Sequence, residues 1–216
     1  MKTRKVRILA AVFILGLCLL APVAQADLIS NGSFEIGAAD IGGFIIVGVG
    51  STAITDWNVT SGTVDYIGTY WTSSAGSRSI DMTGTPGNGT LASTQFATNP
   101  GTIYKILFDM SGNFEHDAIN RKIQVSAGNG SVTYTFEKPS GWSFADMHWK
   151  TQEFIFTATG NQTILTFQSL STDEYCGPAL DNIRGFMVPL PASALLLGSG
   201  LLGLAGLAWR RKGKRS

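Results

Sequence analysis

Residues 123–136 read Ile-Gln-Val-Ser-Ala-Gly-Asn-Gly-Ser-Val-Thr-Tyr-Thr-Phe and predict a β-hairpin. Residues 123–127 and 131–136 are rich in β-branched and aromatic side chains, which favour strands. Between them stands Gly128-Asn129-Gly130, which is typical of a tight turn between antiparallel strands. The same pattern, short runs between turn clusters, recurs through residues 27–187, and no stretch there sustains an apolar repeat at helical spacing. The body is therefore predicted to be all-β.

Eight further strands are predicted, at residues 54–60, 63–67, 79–82, 90–96, 104–110, 149–158, 162–169 and 179–187. Thr159-Gly160-Asn161 predicts a second hairpin that joins residues 149–158 to 162–169. Its core face is predicted to consist of Phe154, Phe156, Ile164, Leu165 and Phe167. Residues 38–50 are Gly-rich and are predicted to form a loop. About ten short strands at regular turn spacing indicate a β-sandwich or jelly roll.

The amino-terminal end has the pattern of a secretory signal peptide. Four basic residues within residues 1–7 precede the apolar run 8–21, and Ala24-Gln25-Ala26 supplies small side chains at Ala24 and Ala26, the positions that signal peptidase reads. We therefore expect residues 1–26 to be a signal peptide cleaved after Ala26. Cys18 leaves with this segment, so Cys176 is the single thiol of the mature chain, with a buried small residue as its expected role.

The carboxyl-terminal end has three parts in a fixed order. Residues 192–209 carry no charge and, as a helix, would span about 27 Å, close to the roughly 30 Å hydrocarbon core of a bilayer. Five of the six residues 210–215 are Arg or Lys, which favours their retention on the cytoplasmic side. The motif before the helix is Val188-Pro189-Leu190-Pro191-Ala192, whose prolines keep the backbone extended.

This tripartite end resembles the bacterial PEP-CTERM class of sorting signals, in the variant that reads Val-Pro-Leu-Pro-Ala, over residues 188–216. The resemblance implies that a membrane protease-transpeptidase, an exosortase, recognises the motif, removes the helix and passes the protein to the cell surface or extracellular matrix. The expected organisation is thus a signal peptide (1–26), a β-sandwich domain (27–187) and a sorting signal (188–216). Until processing, the helix would anchor the protein in the membrane.

The charge of the expected mature domain differs sharply from that of the whole chain. The chain has 16 Lys and Arg and 15 Asp and Glu, formally +1. Four basic residues lie in the signal and five in the tail, which leaves seven against 15 acids, a formal charge of −8. Nucleic acids and anionic membranes require a basic face, so neither is an expected partner of the domain.

Two short signatures lie at opposite ends of the predicted domain. Residues 28–35 read Leu-Ile-Ser-Asn-Gly-Ser-Phe-Glu, and residues 177–183 read Gly-Pro-Ala-Leu-Asp-Asn-Ile. Together they resemble the galactose-binding-like jelly roll of many carbohydrate-binding modules and, more closely, the choice-of-anchor C family, which is related to a plant cell-wall family of unknown function. The resemblance covers residues 28–187 and implies that the first and last strands lie side by side.

A structural calcium often lies where those two strands meet in related modules. By position, the resemblance implies that Glu35 and Asp181 supply carboxylate oxygens, with backbone carbonyls near Asn31 completing the shell, as Ca²⁺ prefers. In the alternative interpretation, both acids satisfy backbone N–H groups in a tight turn.

Aromatic residues in Ser-rich, turn-like sequence are the candidates for stacking on a sugar: Tyr70, Trp71 and Trp142. Trp57 and Trp149 lie in strand patterns and are predicted to be core residues. Glu115-His116-Asp117 is predicted to be a polar loop, and no motif with metalloprotease or nucleophile-elbow spacing is complete, so no enzyme is expected. The expected function is carbohydrate binding in adhesion or in an extracellular polysaccharide matrix. The alternatives are a structural matrix protein without a defined ligand and, more remotely, a glycan-active hydrolase.

Overall fold

The structure is a computed structural model that describes residues 26–116 and 118–189. Within these two ranges every regular element is a β-strand, and no helix is long and apolar enough to cross a membrane. The predicted cleavage residue Ala24, the predicted membrane helix 192–209 and the motif residues Leu190, Pro191 and Ala192 lie outside the described residues.

Fifteen strands are present in the described part of the chain. They are β1 (Phe44–Gly48), β2 (Trp57–Ser61), β3 (Thr63–Ile67), β4 (Ser79–Asp81), β5 (Thr83–Gly84), β6 (Gly87–Asn88), β7 (Thr90–Ser93), β8 (Phe96–Ala97), β9 (Ile103–Gly112), β10 (Asn120–Ala127), β11 (Gly130–Glu137), β12 (Lys150–Thr157), β13 (Gln162–Thr163), β14 (Thr166–Ser169) and β15 (Pro178–Met187).

Two antiparallel sheets form the layers of a sandwich, which confirms the predicted all-β sandwich. One sheet has the order β1-β3-β4-β15-β9-β12 and the other the order β11-β10-β14-β7-β2. Two small ribbons, β13-β8 and β5-β6, accompany them. The core lies between the layers: Phe108 of β9 meets Phe167 of β14 with ring centroids 5.3 Å apart, and Trp57 of β2 lies 6.2 Å from Phe167. Trp57 is thus a core residue, as predicted.

The hairpin at residues 123–136 is confirmed. β10 pairs antiparallel with β11 along eight residues, and Ala127 faces Gly130 across the predicted turn. Gly128 has a φ of +53°, in the left-handed region that glycine enters without steric cost. Local turn chemistry therefore determined this pairing.

The second predicted hairpin is wrong. β12 pairs with β9 in the six-stranded sheet, whereas β14 pairs with β10 and β7 in the opposite sheet. The turn at residues 159–161 reverses the chain, but the two strands face each other across the core, with Phe156 and Phe167 both buried between the layers. Turn residues specify a reversal and do not specify whether the flanking strands pair or pack face to face.

Two smaller predictions are also corrected. The Gly-rich stretch 38–50 contains an edge strand, β1, which pairs only with β3. Residues 44–47 read Phe-Ile-Ile-Val, and this aromatic and β-branched run favours a strand despite the glycines on both sides of it. Ile164 was predicted to face the core but is 44% exposed, since it lies at the break between β13 and β14. The other four predicted core residues of this pair are buried.

The amino-terminal segment lies beside the last strand, although it forms no regular strand. The Leu28 amide donates to the carbonyl of Gly185 (2.9 Å), and the Ile183 amide donates to the carbonyl of Gly32 (2.8 Å). A Cβ on Gly32 would stand 1.9 Å from the carbonyl oxygen of Ile183, so only glycine permits this approach. The two signatures at residues 28–35 and 177–183 are therefore in direct contact.

Candidate functional site

Asp181 is completely buried at a bulge in β15 and organises a neighbouring loop. Its Oδ2 accepts hydrogen bonds from the amides of Ser74 and Ala75, each at 2.8 Å, and its Oδ1 accepts one from the amide of Asn182 at 2.6 Å. Burial raises the pKa of Asp181 to about 7, against the lowering effect of the three amides, and the nearby Asp109 raises it further.

Glu35 holds the other half of the same loop from the amino-terminal segment. Its Oε1 accepts hydrogen bonds from the amides of Ser77 (2.9 Å) and Arg78 (2.8 Å), and its Oε2 accepts one from the Ser77 hydroxyl (2.9 Å). Between the two anchored halves lies Gly76, with a φ of +63°, where a Cβ would stand 2.4 Å from the Glu35 carboxyl carbon. The two acids thus clamp residues 74–78 from opposite sides.

Asn31 also ties backbone segments together. Its amide nitrogen donates to the carbonyls of Ile36 (2.8 Å) and Thr55 (2.6 Å), and its side-chain oxygen accepts from the Ile36 amide (2.9 Å). The contacts of Glu35, Asp181 and Asn31 match the alternative role, in which polar side chains satisfy backbone groups. Calcium binding by Glu35 and Asp181 stays a prediction.

A cavity of about 200 Å³ opens beside the edge of the six-stranded sheet. One part of its lining is aromatic and includes Phe44, Tyr70, Trp71 and Tyr175. The other part is polar and is drawn from four regions of the chain: Asp65, Asp81, Thr85, Asn113, Glu115, His116 and Cys176. Aromatic faces next to converging hydrogen-bonding groups are the features of a small-molecule site.

Tyr70 is the one predicted stacking residue that stands at this cavity with a partly exposed ring. Its phenol donates a hydrogen bond to Glu115 Oε2 at 2.8 Å. Its ring lies edge-on to Phe44 at 5.3 Å and against Phe144 at 4.8 Å. Burial and the bond to Glu115 raise the pKa of Tyr70 to about 12, so the phenol keeps its proton at neutral pH.

The two predicted tryptophan platforms are not exposed rings. Trp71 is 4% exposed and donates its indole N–H to Ser79 Oγ at 2.8 Å, so the prediction of an exposed face is wrong for it. Trp142 is half-buried, lies edge-on to Phe114 and Phe144, and carries the ammonium of Lys138 5.5 Å above its ring. Trp149, predicted as core, is half-buried and packs beside Trp71. Ser-rich flanks therefore do not distinguish an exposed ring from a packed one.

The floor of the cavity holds two acids on adjacent strands, Asp65 of β3 opposite Asp81 of β4. Asp81 is 1% exposed and accepts hydrogen bonds from the Thr83 amide and from Asn113 Nδ2, both at 3.0 Å. Burial raises the pKa of Asp81 to about 8, and burial also raises the pKa of Asp65, against two bonds from Thr85. The sequence carried one signal for these residues, namely acids inside runs that are otherwise predicted to be buried strands.

Glu115 and His116 lie in the loop between β9 and β10, which confirms a polar loop there; Asp117 is outside the described residues. His116 Nδ1 lies 3.0 and 3.2 Å from the two carboxylate oxygens of Asp173. Cys176 is 1% exposed, as predicted, and burial raises its pKa to about 11.

Arg121 lies behind this group, is almost fully buried and donates to the Asn113 carbonyl at 2.6 Å. One of its terminal nitrogens is 3.5 Å from Asp173. Burial raises the pKa of Asp173, but the Tyr175 amide, His116 and Arg121 outweigh that effect and lower it overall. The sequence offered no signal for this contact, because its members are more than 50 residues apart.

Residues 27–185 match a family described as "Protein of unknown function (DUF642)". Among curated proteins, the chain is 30% identical over 178 residues to Halomucin of Haloquadratum walsbyi. That match covers 80% of this chain and 2% of Halomucin, so the chain spans only a small part of the length of this relative.

Solved structures with a similar fold include two carbohydrate-binding modules. The CBM22-1 xylan-binding domain from Paenibacillus barcinonensis matches with a TM-score of 0.46 and 16% identity, over 79% of this chain and 100% of that one. TmCBM61, solved in complex with beta-1,4-galactotriose, matches with a TM-score of 0.44 and 13% identity, over 76% of this chain and 99% of that one.

Proposed function

The chain belongs to the DUF642 family of proteins of unknown function, and we propose from its own residues that its β-sandwich is a carbohydrate-binding module without catalytic activity. The observation that carries this proposal is the cavity of about 200 Å³, in which partly exposed rings of Phe44, Tyr70 and Tyr175 stand beside hydrogen-bonding side chains. Sugars present apolar C–H faces and hydroxyl groups together, and a site for them requires both kinds of partner.

The lining also indicates which sugars suit the site. The Glu115 carboxylate favours hydroxyl donors and disfavours a second carboxylate, because like charges repel in a partly buried site. Asp81, whose pKa burial raises to about 8, keeps its proton at neutral pH and can donate a hydrogen bond as well as accept one. The cavity is smaller than the roughly 300–1,000 Å³ of sites for drug-sized ligands. We therefore expect a neutral sugar unit, such as a single residue or the end of a polysaccharide chain, rather than a uronic acid.

Replacing Tyr70 with alanine is expected to weaken binding to neutral polysaccharide about tenfold or more. Loss of an aromatic contact costs about 1.5–3 kcal/mol, and about 1.4 kcal/mol corresponds to a factor of ten in affinity. The measurement is co-sedimentation of the full-length protein, in detergent, with a panel of insoluble neutral and acidic polysaccharides.

Tyr134→Ala is the matched control, because Tyr134 is also half-buried, bonds the Glu153 carbonyl through its hydroxyl and lies outside the cavity lining. Equal losses from both variants would contradict a site at Tyr70. Absence of saturable binding to any sugar of the panel would favour the alternative, a structural matrix protein without a ligand.

We also propose that the protein is exported, anchored briefly in the membrane and then released to the cell surface or matrix by an exosortase. The sequence patterns of residues 1–26 and 188–216 support this proposal. Within the described residues, the backbone hydrogen bond nearest the carboxyl terminus runs from the Val188 amide to the Ile103 carbonyl at 2.9 Å, at the first residue of the sorting motif. Removal of the tail beyond Val188 would therefore leave the sandwich intact.

Mass spectrometry of the protein isolated from cells is expected to find a chain that starts at Asp27 and ends within the motif 188–192. Substitution of Pro189 and Pro191 by alanine should retain the full tail, because the motif would no longer be held extended for the protease. Recovery of an unprocessed 216-residue chain from the soluble cytosol would contradict the proposal.

A further inference from the structure

Three side chains of the kinds that bind transition metals meet beside the cavity. His116 comes from the loop between β9 and β10, and Asp173 and Cys176 come from the loop between β14 and β15. One ligand atom from each, a nitrogen, an oxygen and a sulfur, lie within 4.8 Å of one another. We propose that these three residues bind a Zn²⁺ ion. This inference does not depend on the proposed carbohydrate binding.

The spacing of the ligand atoms suits zinc. Zn²⁺ lies about 2.0–2.3 Å from nitrogen, oxygen and sulfur ligands, so tetrahedral ligands lie about 3.3–3.8 Å apart. His116 Nδ1 is already 3.0 and 3.2 Å from the carboxylate oxygens of Asp173. Since the three ligand atoms lie within 4.8 Å of one another, an ion between them requires their separations to close by about 1 Å, which the 51% exposed His116 side chain can accommodate.

The site also has a route of entry and an open coordination position. His116 and Cys176 both line the cavity, so an ion held by the three side chains faces the cavity on its fourth side. Three protein ligands with water in the fourth position is a common zinc arrangement. Cys176, although 1% exposed to bulk solvent, is thus reached through the cavity.

The chemistry of the ligands separates this site from a calcium site. Ca²⁺ takes six to eight oxygen ligands, whereas imidazole nitrogen and thiolate sulfur select zinc and related transition metals. The carboxylate of Glu115 in the same lining adds local negative potential that favours a cation. Arg121 opposes it, and its nitrogen lies 3.5 Å from Asp173 Oδ2. Asp173 Oδ1 already accepts from the amides of Tyr175 and Cys176, so the metal would take the lone pair of Oδ2 that now faces His116 Nδ1.

The same three residue types also occur in nucleophilic triads, which need a thiolate at neutral pH. Cys176 is buried and accepts a hydrogen bond from the His116 backbone. The effect of burial, which raises the pKa of the thiol, outweighs the lowering effect of this bond. A metal ion can displace the proton of a buried thiol when it binds. A buried thiol that serves as a nucleophile must lose this proton without such help. Metal ligation is therefore the better use of this cluster.

The test uses the full-length chain in detergent with Cys18→Ser, so that Cys176 is its single thiol. After treatment with a chelator, the protein is titrated with Zn²⁺ by calorimetry and with Co²⁺ by absorption spectroscopy. We expect one equivalent of Zn²⁺ to bind and Co²⁺ to produce a thiolate-to-cobalt charge-transfer band. His116→Ala and Cys176→Ser should each weaken Zn²⁺ binding at least about tenfold and abolish or shift the cobalt band.

His148→Ala is the matched control, because His148 also pairs with an acid, Asp146 at 3.5 Å, but lies outside the cluster. It should bind Zn²⁺ like the parent. The proposal would be overturned if no cobalt–thiolate band appeared. It would also be overturned if His116→Ala and His148→Ala reduced the Zn²⁺ affinity equally. Since the His116 side chain is half exposed, His116→Ala keeps the fold, and thermal unfolding in chelator verifies this.

Discussion

Replacing Asp181 with alanine is expected to lower the free energy of unfolding by at least about 3 kcal/mol. The substitution removes the acceptor of three backbone N–H groups, those of Ser74, Ala75 and Asn182. Each buried donor left without a partner costs about 1–3 kcal/mol. The Asp181 side chain is completely enclosed, so water cannot easily replace it. Chemical denaturation of parent and variant, at equal pH, measures the difference.

Glu35→Ala is the matched comparison, because Glu35 clamps the same loop from the solvent side. The groups that donate to Glu35 are exposed and can form hydrogen bonds with water instead. We therefore expect Glu35→Ala to lower the free energy of unfolding by less than Asp181→Ala does. Repeating both measurements with and without a calcium chelator tests the predicted calcium. If chelation lowers the parent's stability and leaves both variants unchanged, these acids hold an ion; if it changes nothing, they serve the loop alone. Asp181→Ala with parental stability would contradict the role of the clamp.

Stability is expected to fall as the pH rises from about 4 to 8, with a contribution of up to about 1.4 kcal/mol per pH unit from one carboxyl group. The cause is Asp81, whose pKa is raised by burial to about 8, against 3.8 for the ordinary side chain. Above pH 4 the unfolded chain releases this proton while the folded chain retains it. The unfolded state is therefore stabilised relative to the folded state as the pH rises. Below pH 4 both states are protonated, and above pH 8 both have lost the proton, so the effect levels off at each end.

Asp181 adds to the same trend, because burial raises its pKa to about 7. Asp173 has the opposite effect on stability, because its pKa is lowered overall in the folded state. Its contribution to stability is lost only when the pH falls below about 3.8, the ordinary pKa of an Asp side chain. The measurement is the unfolding free energy by urea at several pH values. Asp81→Asn should flatten the slope between pH 4 and 8, whatever its effect on absolute stability. Asp40→Asn is the control, because Asp40 is exposed, and it should leave the slope of stability against pH as in the parent. An unchanged slope in Asp81→Asn would contradict the role of Asp81 in this pH dependence.

The two signatures show how much of the site could be expected from sequence. Residues 28–35 and 177–183 were predicted to meet, and they do, through the contact of Gly32 with Ile183. The sequence did not show that the acids of these signatures turn toward residues 74–78. The bonds from these acids to that loop join residues 42 to 107 positions apart, and no local pattern records such partners.

The cavity shows the opposite case. Of the stacking residues predicted, Tyr70 and Trp71 line the cavity, and Tyr70 is the one with a partly exposed ring. Phe44 and Tyr175 were missed, since each lies in a segment without a distinctive pattern. Trp71 and Trp142 have neighbours of the same composition as Tyr70, but Trp71 is 4% exposed and Trp142 lies outside the cavity lining. Exposure of an aromatic ring depends on what the rest of the chain places over it.

The amino-acid sequence alone determined the all-β class, most strand positions and the hairpin at residues 123–136, because alternation and turn chemistry act between near neighbours. The patterns at both ends of the chain are also local and predict export and sorting. Only the tertiary structure decided which strands pair, on which layer β12 and β14 lie, and which acids and rings share a cavity. These depend on burial and on contacts between distant segments, whose free energies are settled only when the two sheets close over one core.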